Sequence, residues 1–386
     1  MKNAKTGFMD WTLLLIVIVL VVMGLIMQYS ASSYDIELVQ TQALYAGGGI
    51  VLIFIMRMLP AGFYHKVALV AYIGTLLLTV AAGLVGRTVK GARRWLAIGP
   101  VSFQPSEALK VALIMFIAAL ICKYYTQIQQ VPYTSMRGFA RQVFHREEQT
   151  YLKDHKGYII MFLLISAAAG VVVIINKDFG TGLIIFTIGI AMMWVMSPRG
   201  IWLLGVLALG VVAGIGVIVA FPYRRDRISA WLHPEQTTSD LGYQIKEGLY
   251  AIGSGGWFGR GLGKSVQKDV IPEPHTDMIY SIVCEELGVI GGLVVIVLFV
   301  LLILRLKKNY DQTVDLFGKM IIAGVMTHVG VQAAMNMAVL TGLIPNTGVP
   351  LPFISYGGTS LLVLLAEIGM VMSVRRVKEP VQEAGA

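Results

Sequence analysis

An acidic segment at residues 273–286 carries the strongest candidates for chemistry in this sequence. The stretch Ile271-Pro-Glu-Pro-His-Thr-Asp277 delivers Asp277 to the start of an apolar run, and Glu285 and Glu286 follow inside that run. On a helix that rises about 1.5 Å per residue, the two glutamates would lie about 12 to 14 Å beyond Asp277. Carboxylates at such a depth are costly unless they are solvated, paired or used. Asp277, at the mouth of a membrane-embedded helix, is therefore well placed to accept a proton.

Thr276 and Asp277 also stand where a helix begins, and the commonest use of such residues is to cap a helix N-terminus. Position alone therefore leaves capping and proton transfer both open for Asp277. His275 lies two residues earlier, beneath a loop rich in lysine and arginine. This clustering favours a functional site, and we include His275 among the predicted substrate contacts.

Two groups of basic residues accompany the acidic segment. One runs from Arg224 to Lys268, and the other lies between Arg87 and Arg94. On the topology derived below, both are on the outer face of a membrane, where topology disfavours positive charge. Their position suggests an anionic ligand, with contact to phospholipid head groups as the alternative. The predicted contacts are Arg93, Arg94, Arg224 and Arg227.

The composition is that of a polytopic membrane protein. Of 386 residues, 56% are hydrophobic and only 14% are charged, which is too apolar for a soluble domain of this size. Stretches long enough to cross a bilayer occur at 11–29, 43–59, 67–85, 107–122, 158–175, 181–197, 201–221, 277–304, 316–341 and 358–374. We therefore predict a single all-α membrane domain over residues 1–386, with about ten transmembrane helices.

Lysine and arginine favour a cytoplasmic N-terminus, because more of them then fall in inside loops. The C-terminus is then also cytoplasmic, with a cytoplasmic loop at about 123–157 and an extracytoplasmic loop at about 222–276. The first span resembles a signal peptide in its flanks, but the later spans need a start, so we expect it to be retained. The formal net charge of +9 does not predict nucleic-acid binding, because basic loops hold membrane helices in place. Two distant cysteines predict no disulfide framework.

Polar residues inside the predicted spans form two patterns. Glu107 and Lys110 share a helix face at i, i+3, so either they neutralise each other or Lys110 lines a polar cavity. His328, Gln332 and Asn336 recur at i, i+4 and i+8. Such a stripe must face the bundle interior, where it joins helices more often than it carries chemistry.

Three loops also contain candidate functional residues or patterns. Asp178, in the turn Asn176-Lys-Asp-Phe-Gly-Thr181, could pair with Lys177, cap the next helix or add a second acid to an outer cavity. The glycine run 253–263 fails the P-loop register at Phe258 and follows no strand, so we predict a flexible loop that a ligand can approach closely. The uncharged segment 343–358 contains three prolines, which predicts a rigid re-entrant element packed on protein.

Together these segments resemble the signature blocks of the SEDS family, the FtsW, RodA and SpoVE group. The blocks are Gly91-Ala-Arg-Arg-Trp95, Gln104-Pro-Ser-Glu107, Asp178-Phe-Gly-Thr181, Gly242-Tyr-Gln244, Gly261-Leu-Gly263, His275-Thr-Asp277, Glu285-Glu-Leu-Gly288 and Leu351-Pro-Phe-Ile-Ser-Tyr-Gly-Gly358. They occur in the family's order along the chain. The resemblance implies a ten-helix peptidoglycan glycosyltransferase that polymerises lipid II into a growing glycan strand on the outer face of the bacterial cytoplasmic membrane. It also implies a class B penicillin-binding transpeptidase as partner.

The resemblance places the family's catalytic aspartate on Asp277. Besides the four arginines, the predicted substrate contacts are Glu107, Lys110, Asp178, His275 and Ser355. No protein metal site is expected, and the one cofactor considered is a divalent cation, Mg or Mn. Asn176-Lys177 replaces the family's usual Gln-Pro. Other segments are divided between the FtsW/SpoVE and RodA branches, so duty in division, elongation or sporulation stays open.

The implied chemistry suits these residues. Lipid II carries a sugar on a diphosphate that leaves as an anion, so one base and some positive charge suffice, whereas a glycosidase needs two carboxylates. We expect inversion at the anomeric carbon. The alternative function is a flippase or transporter for the lipid-linked precursor, which would suit the charges inside the spans. A structural scaffold is a third possibility. The concentration of charge at the outer rim favours the enzyme.

Overall fold

The structure is a computed structural model that describes residues 4–6, 9–89, 92–98, 101–130, 148–196, 222–233 and 240–378, with single positions between 208 and 219. Helices dominate this part of the chain. They are α1 (Trp11–Ala31), α2 (Ile36–Met58), α3 (Ala61–Val85), α4 (Pro105–Gln130), α5 (Glu148–Ile174), α6 (Phe179–Met196), α7 (Pro222–Leu232), α8 (Asp240–Ser254), α9 (Ile279–Gln312), α10 (Leu316–Leu340) and α11 (Gly358–Val374).

Nine of the ten predicted spans correspond to described helices. Within the described residues, eight helices are long and apolar enough to cross a membrane, and α11 is a shorter apolar helix. The predicted seventh span, 201–221, lies largely outside the described residues and stays a prediction. In the most apolar stretch of each helix, 78% of the residues are buried in α4, 67% in α10 and 61% in α6, but only 22% in α2 and in α3. Helices α4, α6 and α10 therefore form the centre of the bundle.

Both long predicted loops contain helical residues, because hydropathy detects the apolar part of a helix and not its solvated ends or polar helices. In the predicted loop 123–157, α4 continues to Gln130 and α5 begins at Glu148; residues 131–147 lie outside the described residues. The predicted loop 222–276 contains α7, α8 and a 3-10 turn at Gln267–Asp269. In α8, Ile245 and Ala251 are buried, so its apolar face packs on the bundle.

Short strands supplement the helices. Strands β2 (Arg87–Val89), β3 (Ala92–Ile98) and β4 (Val101–Phe103) form an antiparallel sheet between α3 and α4. In its register Arg87 faces Trp95, and Leu96 faces Phe103. Strands β1 (Ala4–Thr6) and β5 (Arg376–Lys378) pair antiparallel, so the two ends of the described chain lie on the same face. This arrangement agrees with an even number of membrane crossings.

A buried carboxylate joins three helix ends at this face. Asp10 caps α1 by accepting from the Leu13 amide at 3.1 Å. It also accepts two bonds of 2.9 and 2.6 Å from Arg305 and one of 2.8 Å from Asn309. Burial alone would raise the pKa of Asp10, but these hydrogen bonds outweigh it and hold the pKa below its usual range. Arg375, directly after α11, approaches the same carboxylate at 3.6 Å.

Substituting Arg305→Ala should therefore destabilise the protein strongly. It leaves the buried Asp10 carboxylate without its bidentate partner, which costs about 3 kcal/mol. The matched control is Lys307→Ala on the same helix, since Lys307 and Asp311 form a pair whose side chains are 60% and 54% exposed. Such exposed pairs contribute about 0–1 kcal/mol. Thermal unfolding in detergent should show a much lower Tm for Arg305→Ala only, and equal shifts would contradict the role given to Asp10.

Candidate functional site

Asp277 lies in a turn immediately before α9, with its side chain half-buried. One carboxylate oxygen accepts a hydrogen bond from the Thr276 hydroxyl at 3.0 Å. The N-cap position of α9 is Met278, which makes no side-chain cap bond. Asp277 therefore stands one residue before the cap position of α9.

The polar stripe of α10 holds the backbone of this turn. Asn336 Nδ2 donates to the carbonyl oxygens of Asp277 and Val349, each at 2.8 Å. One turn earlier on the helix, Gln332 Nε2 donates to the Pro350 carbonyl at 3.1 Å. The stripe was predicted to face the bundle interior, and this is confirmed. Its function is to clamp the proline loop, residues 343–357, against the turn that carries Asp277.

The proline loop also grips the turn directly. Ser355 Oγ donates to the Thr276 carbonyl at 2.6 Å and accepts from the Leu351 amide at 2.8 Å. The Tyr356 amide donates to the His275 carbonyl at 2.9 Å. The Ser355 hydroxyl is thus occupied in positioning the turn, while the half-buried His275 ring lies edge-on to Tyr356 at 5.5 Å between centroids. Substrate contacts by Ser355 and His275 stay predictions.

The same loop is packed on protein, as its composition predicted. Its apolar residues Val349, Leu351, Phe353 and Ile354 are buried, and the Ile354 carbonyl accepts from Gln28 Nε2 at 2.7 Å. A methyl group on Gly24 would lie 2.8 Å from the Ile354 Cα atom. Only glycine therefore allows α1 to approach the loop this closely. The loop is supported from two sides, by α1 and by α10.

A second acid, Asp178, lies in the turn before α6. Its Oδ1 accepts from the Thr181 amide at 3.1 Å, so it caps the helix. Its Oδ2 lies 3.5 Å from Arg94 Nη1, and Arg94 Nη2 donates to the Lys177 carbonyl at 2.8 Å. The Asp178 side chain therefore caps α6. It also forms an ion pair, and its partner is Arg94 and not Lys177.

Two arginines of α7, Arg224 and Arg227, lie on the same side of the molecule as Asp178. Arg224 Nη2 donates to the Val173 carbonyl at 2.6 Å, and the guanidinium lies 5.5 Å from the centroid of the Phe179 ring. Burial and the positive charge of Arg227 hold the pKa of Arg224 below its usual range, while Asp178 acts in the opposite direction. The guanidinium nevertheless stays protonated at neutral pH. Positive charge is therefore concentrated beside Asp178.

The segment 346–349 connects these cations to Asp277. Arg227 Nη1 donates to the Asn346 carbonyl at 2.8 Å, and the Gly348 amide donates to Asn346 Oδ1 at 2.8 Å. A methyl group on Gly348 would lie 3.9 Å from Asp277 Oδ2. Sequence reasoning missed Asn346, although Asn-X-Gly is a recognised signal for an Asx turn. We therefore define the outer site as Asp277, Asp178, Arg94, Arg224 and Arg227 around segment 346–349.

Three other predicted contacts lie elsewhere. Arg93 is exposed on β3, where Nη1 donates to the Leu84 carbonyl at 2.7 Å. Glu107 and Lys110 form the intrahelical pair, with Lys110 Nζ 3.0 Å from Glu107 Oε1. Both are buried in the bundle, so neither lines the outer site. Their contact with substrate stays a prediction.

Lys110 belongs to a longer buried network. Its Nζ donates to Gln332 Oε1 at 3.0 Å. His328 Nε2 lies 2.9 Å from that same oxygen, and His328 Nδ1 lies 2.9 Å from the Glu367 carboxylate. His328 and Glu367 are fully buried. The network thus reaches from the Glu107–Lys110 pair through the α10 stripe to α11.

Glu285 and Glu286 find their partners in the outer segment and at the end of α1. The Glu285 carboxylate accepts from Ser265 Oγ at 2.5 Å and from the Val266 amide at 3.0 Å. The Glu286 carboxylate accepts from Ser30 Oγ at 2.5 Å and the Ser265 amide at 3.3 Å. The glycine run is therefore folded onto α9, which corrects the prediction of a flexible loop. No sequence pattern indicated this role for Ser265.

The described residues contain no group of three or more His, Cys, Asp or Glu side chains that could hold a metal ion. Magnesium is often bound by one or two carboxylates together with substrate phosphates. Asp277, half-buried beside segment 346–349, has the donor chemistry for such a shared site. A divalent cation bound to the substrate phosphates therefore stays a proposal.

Comparison with known proteins finds matches along nearly the whole chain. The sequence model of the FtsW/RodA/SpoVE family, described as a cell cycle protein, matches residues 10–379. Stage V sporulation protein E of Bacillus subtilis is 34% identical in an alignment of 388 positions that covers 97% of this chain and 99% of the relative. Peptidoglycan glycosyltransferase MrdB of Escherichia coli K12 is 33% identical over 96% of each chain. Among solved structures, a chain from a peptidoglycan synthase complex that coordinates polymerisation and crosslinking is 27% identical. It aligns with a TM-score of 0.76 over 95% of this chain and 97% of its own.

Substituting Asn336→Leu should loosen the site without unfolding the bundle. It removes the donor to two buried carbonyls, and an unsatisfied buried group costs about 1–3 kcal/mol. Amide hydrogen exchange at Gly348, Leu351 and Tyr356 should accelerate by about tenfold or more, since 1.4 kcal/mol is a factor of about ten. The control is Thr327→Val, because the Thr327 hydroxyl bonds only within α10. Unchanged exchange in Asn336→Leu would show that the stripe does not hold the loop.

Proposed function

Because the chain belongs to the FtsW/RodA/SpoVE family, we propose that it polymerises lipid II into glycan strands at the outer face of the bacterial inner membrane. The chain is a multi-pass bacterial membrane protein and a peptidoglycan glycosyltransferase. One observation carries the finer proposal. A half-buried carboxylate, that of Asp277, is fixed beside a loop segment that Arg227 contacts from the other side.

Asp277 is the general base of the proposed reaction. It takes the proton from the 4-hydroxyl of the acceptor sugar as that oxygen attacks the anomeric carbon of the donor. The new glycosidic bond forms as the bond from the anomeric carbon to the phosphate oxygen breaks, with inversion. The lipid diphosphate leaves as an anion and carries away the bonding electrons, so no general acid is required. Positioned bases of this kind contribute about 10² to 10⁴ in rate.

Arg94, Arg224 and Arg227 supply the positive charge for the departing diphosphate. Fixed charges in a partly water-excluded site stabilise a developing anion without reorganisation. Asp178 holds Arg94 in place at 3.5 Å, so its role is to position a cation. A divalent cation bound to the diphosphate would add charge stabilisation of the same kind.

We also propose that the protein works beside a class B penicillin-binding transpeptidase. The supporting observation is the similarity to a chain of a complex that couples polymerisation to crosslinking. Polymerisation produces linear glycan, and crosslinking of its peptides is the reaction that must consume this product. The described residues account for polymerisation alone, so the crosslinking activity would come from the partner.

Substituting Asp277→Asn should abolish glycan synthesis. The side chain keeps its size and its ability to accept from Thr276, but it no longer takes a proton, so the rate should fall by about 10² to 10⁴. The measurement is glycan chain length and yield from lipid II, with purified protein and transpeptidase partner in detergent. The control is Asp226→Asn, which changes charge equally at an exposed position of α7. Normal chains from a folded Asp277→Asn variant would eliminate Asp277 as the base.

Substituting Arg227→Gln should weaken use of the diphosphate substrate. Loss of a hydrogen bond to a charged group costs about 1.5–3 kcal/mol, so kcat/KM for lipid II should fall by about 10- to 100-fold. Arg225→Gln is the control, because Arg225 is exposed on the same helix, and its effect should stay within about twofold on the scale of surface charges. Equal losses in both variants would indicate diffuse surface attraction and would refute a specific site.

A further inference from the structure

Trp257 and Phe258 protrude from the glycine run at the outer end of the molecule. Their side chains are 69% and 83% exposed, and Leu262 and Val266 nearby are each 54% exposed. Arg260 and Lys264 on the same segment are also exposed. Two adjacent exposed aromatic rings form an apolar patch, and such patches mark sites of contact with a partner or a membrane. This surface is therefore suited to a partly apolar environment.

The segment is rigidly fixed to α9, which explains its defined position. Gly288 breaks α9 with φ 70° and ψ −168°, and the break leaves backbone groups without helical partners. The glycine run supplies those partners: Val289 and Ile290 amides donate to the Gly256 and Trp257 carbonyls at 2.9 and 3.3 Å. In the reverse direction, the amides of 260 and 261 donate to the carbonyls of 285 and 286, each at 2.9 Å.

This backbone pairing requires glycine on both sides. Gly259 and Gly288 both have positive φ, and a methyl group on Gly259 would lie 2.1 Å from the Glu286 carbonyl oxygen. The Glu285 carboxylate fixes the far end of the segment through Ser265 and Val266. Trp257 and Phe258 are therefore held at one height along α9.

That height is the boundary where the apolar surface of α9 begins. From the break onward, α9 exposes a ridge of aliphatic side chains that no described helix covers: Val289 40%, Ile290 45%, Leu293 50%, Val294 47% and Val297 53%. The helix has a mean hydropathy of 3.3 in its most apolar window, so this ridge is suited to lipid. The Ile290 amide is hydrogen-bonded to Trp257 itself, so the aromatic pair lies where lipid tails give way to head groups.

Two tyrosines lie at the same level on the neighbouring helix end. Tyr34 Oη donates to the Gly263 carbonyl at 2.9 Å, and its ring lies edge-on to Tyr29 at 5.3 Å. Tyr29 and Tyr34 are 40% and 49% exposed. Aromatic rings collect at membrane–water interfaces because they are apolar with a polar edge. Basic side chains next to them match the negative charge of lipid phosphates.

We propose that segment 256–266 is an interfacial membrane anchor whose aromatic pair inserts into the outer leaflet while Lys264 contacts phospholipid phosphates. Arg260 is held beside this surface by its ion pair with Glu285, at 3.7 Å. The occupant is the bilayer and not a protein partner, because the aromatic pair and the basic residues after it stand at the edge of a lipid-suited ridge. The anchor fixes the depth of α9 in the membrane, since the segment is bonded to residues 285–290. This inference does not depend on the reaction proposed above.

The test places a nitroxide spin label at Phe258→Cys in the full-length chain, with Cys122 and Cys284 replaced by serine. The protein is reconstituted in vesicles of phosphatidylethanolamine and phosphatidylglycerol, without any partner protein. Collision with oxygen, which concentrates in lipid, is compared with collision with a water-soluble nickel chelate. Leu293→Cys on the lipid-suited ridge and Asp226→Cys on the exposed face of α7 provide the two reference environments.

The label at 258 should collide with oxygen several-fold more often relative to nickel than the label at 226 does, and should approach the ratio at 293. A label at Leu262→Cys should give an intermediate ratio. Because positions 258 and 262 are both exposed, these substitutions should preserve folding. A ratio at 258 equal to that at 226 would overturn the anchor. In a second reconstitution with the transpeptidase, a nickel-accessible label at 258 that becomes shielded from both reagents would identify a protein contact and equally overturn the anchor.

Discussion

A bilayer offers no hydrogen bonds, so non-helical backbone buried among membrane helices must find its partners in side chains. The proline loop meets this constraint through the polar stripe of α10. Gln332 bonds the Pro350 carbonyl, and Asn336 bonds the carbonyls of Val349 and Asp277. One helix face thus fixes both the loop and the carboxylate turn. The position of Asp277 therefore depends on this satisfaction of backbone groups.

The same stripe joins the buried charges of the bundle. Gln332 Oε1 faces Lys110 Nζ at 3.0 Å and His328 Nε2 at 2.9 Å. His328 Nδ1 lies 2.9 Å from the Glu367 carboxylate, and Lys110 pairs with Glu107. Each buried carboxylate of this network therefore has a basic partner, which lowers the cost of burying it between apolar helices.

The sequence predicted the parts of this molecule that depend on local periodicity. Span positions and the interior stripe follow from spacing alone, and nine spans and the stripe are confirmed. Spacing does not specify long-range partners. It could not decide between capping and proton transfer for Asp277, because capping depends on the turn that makes Met278 the cap position. It also placed Glu285 and Glu286 at depth without their partner, because Ser265 is contributed by a distant loop.

The positions of the paired charged residues distinguish a polymerase from a transporter. A transporter needs polar groups near the bilayer midplane that exchange partners as access alternates. Here the buried charges of α4, α10 and α11 pair with one another, and Gln332 links them to the proline loop. The cations of the outer site instead meet segment 346–349, beside Asp277. A base and cations on separate elements, joined by one rigid segment, suit a transfer in which the acceptor oxygen, losing its proton to the base, attacks one side of the anomeric carbon while the diphosphate departs from the other. Because that segment is bonded to Arg227 on one side and to Asn336 on the other, any displacement of it would move base and cations relative to each other.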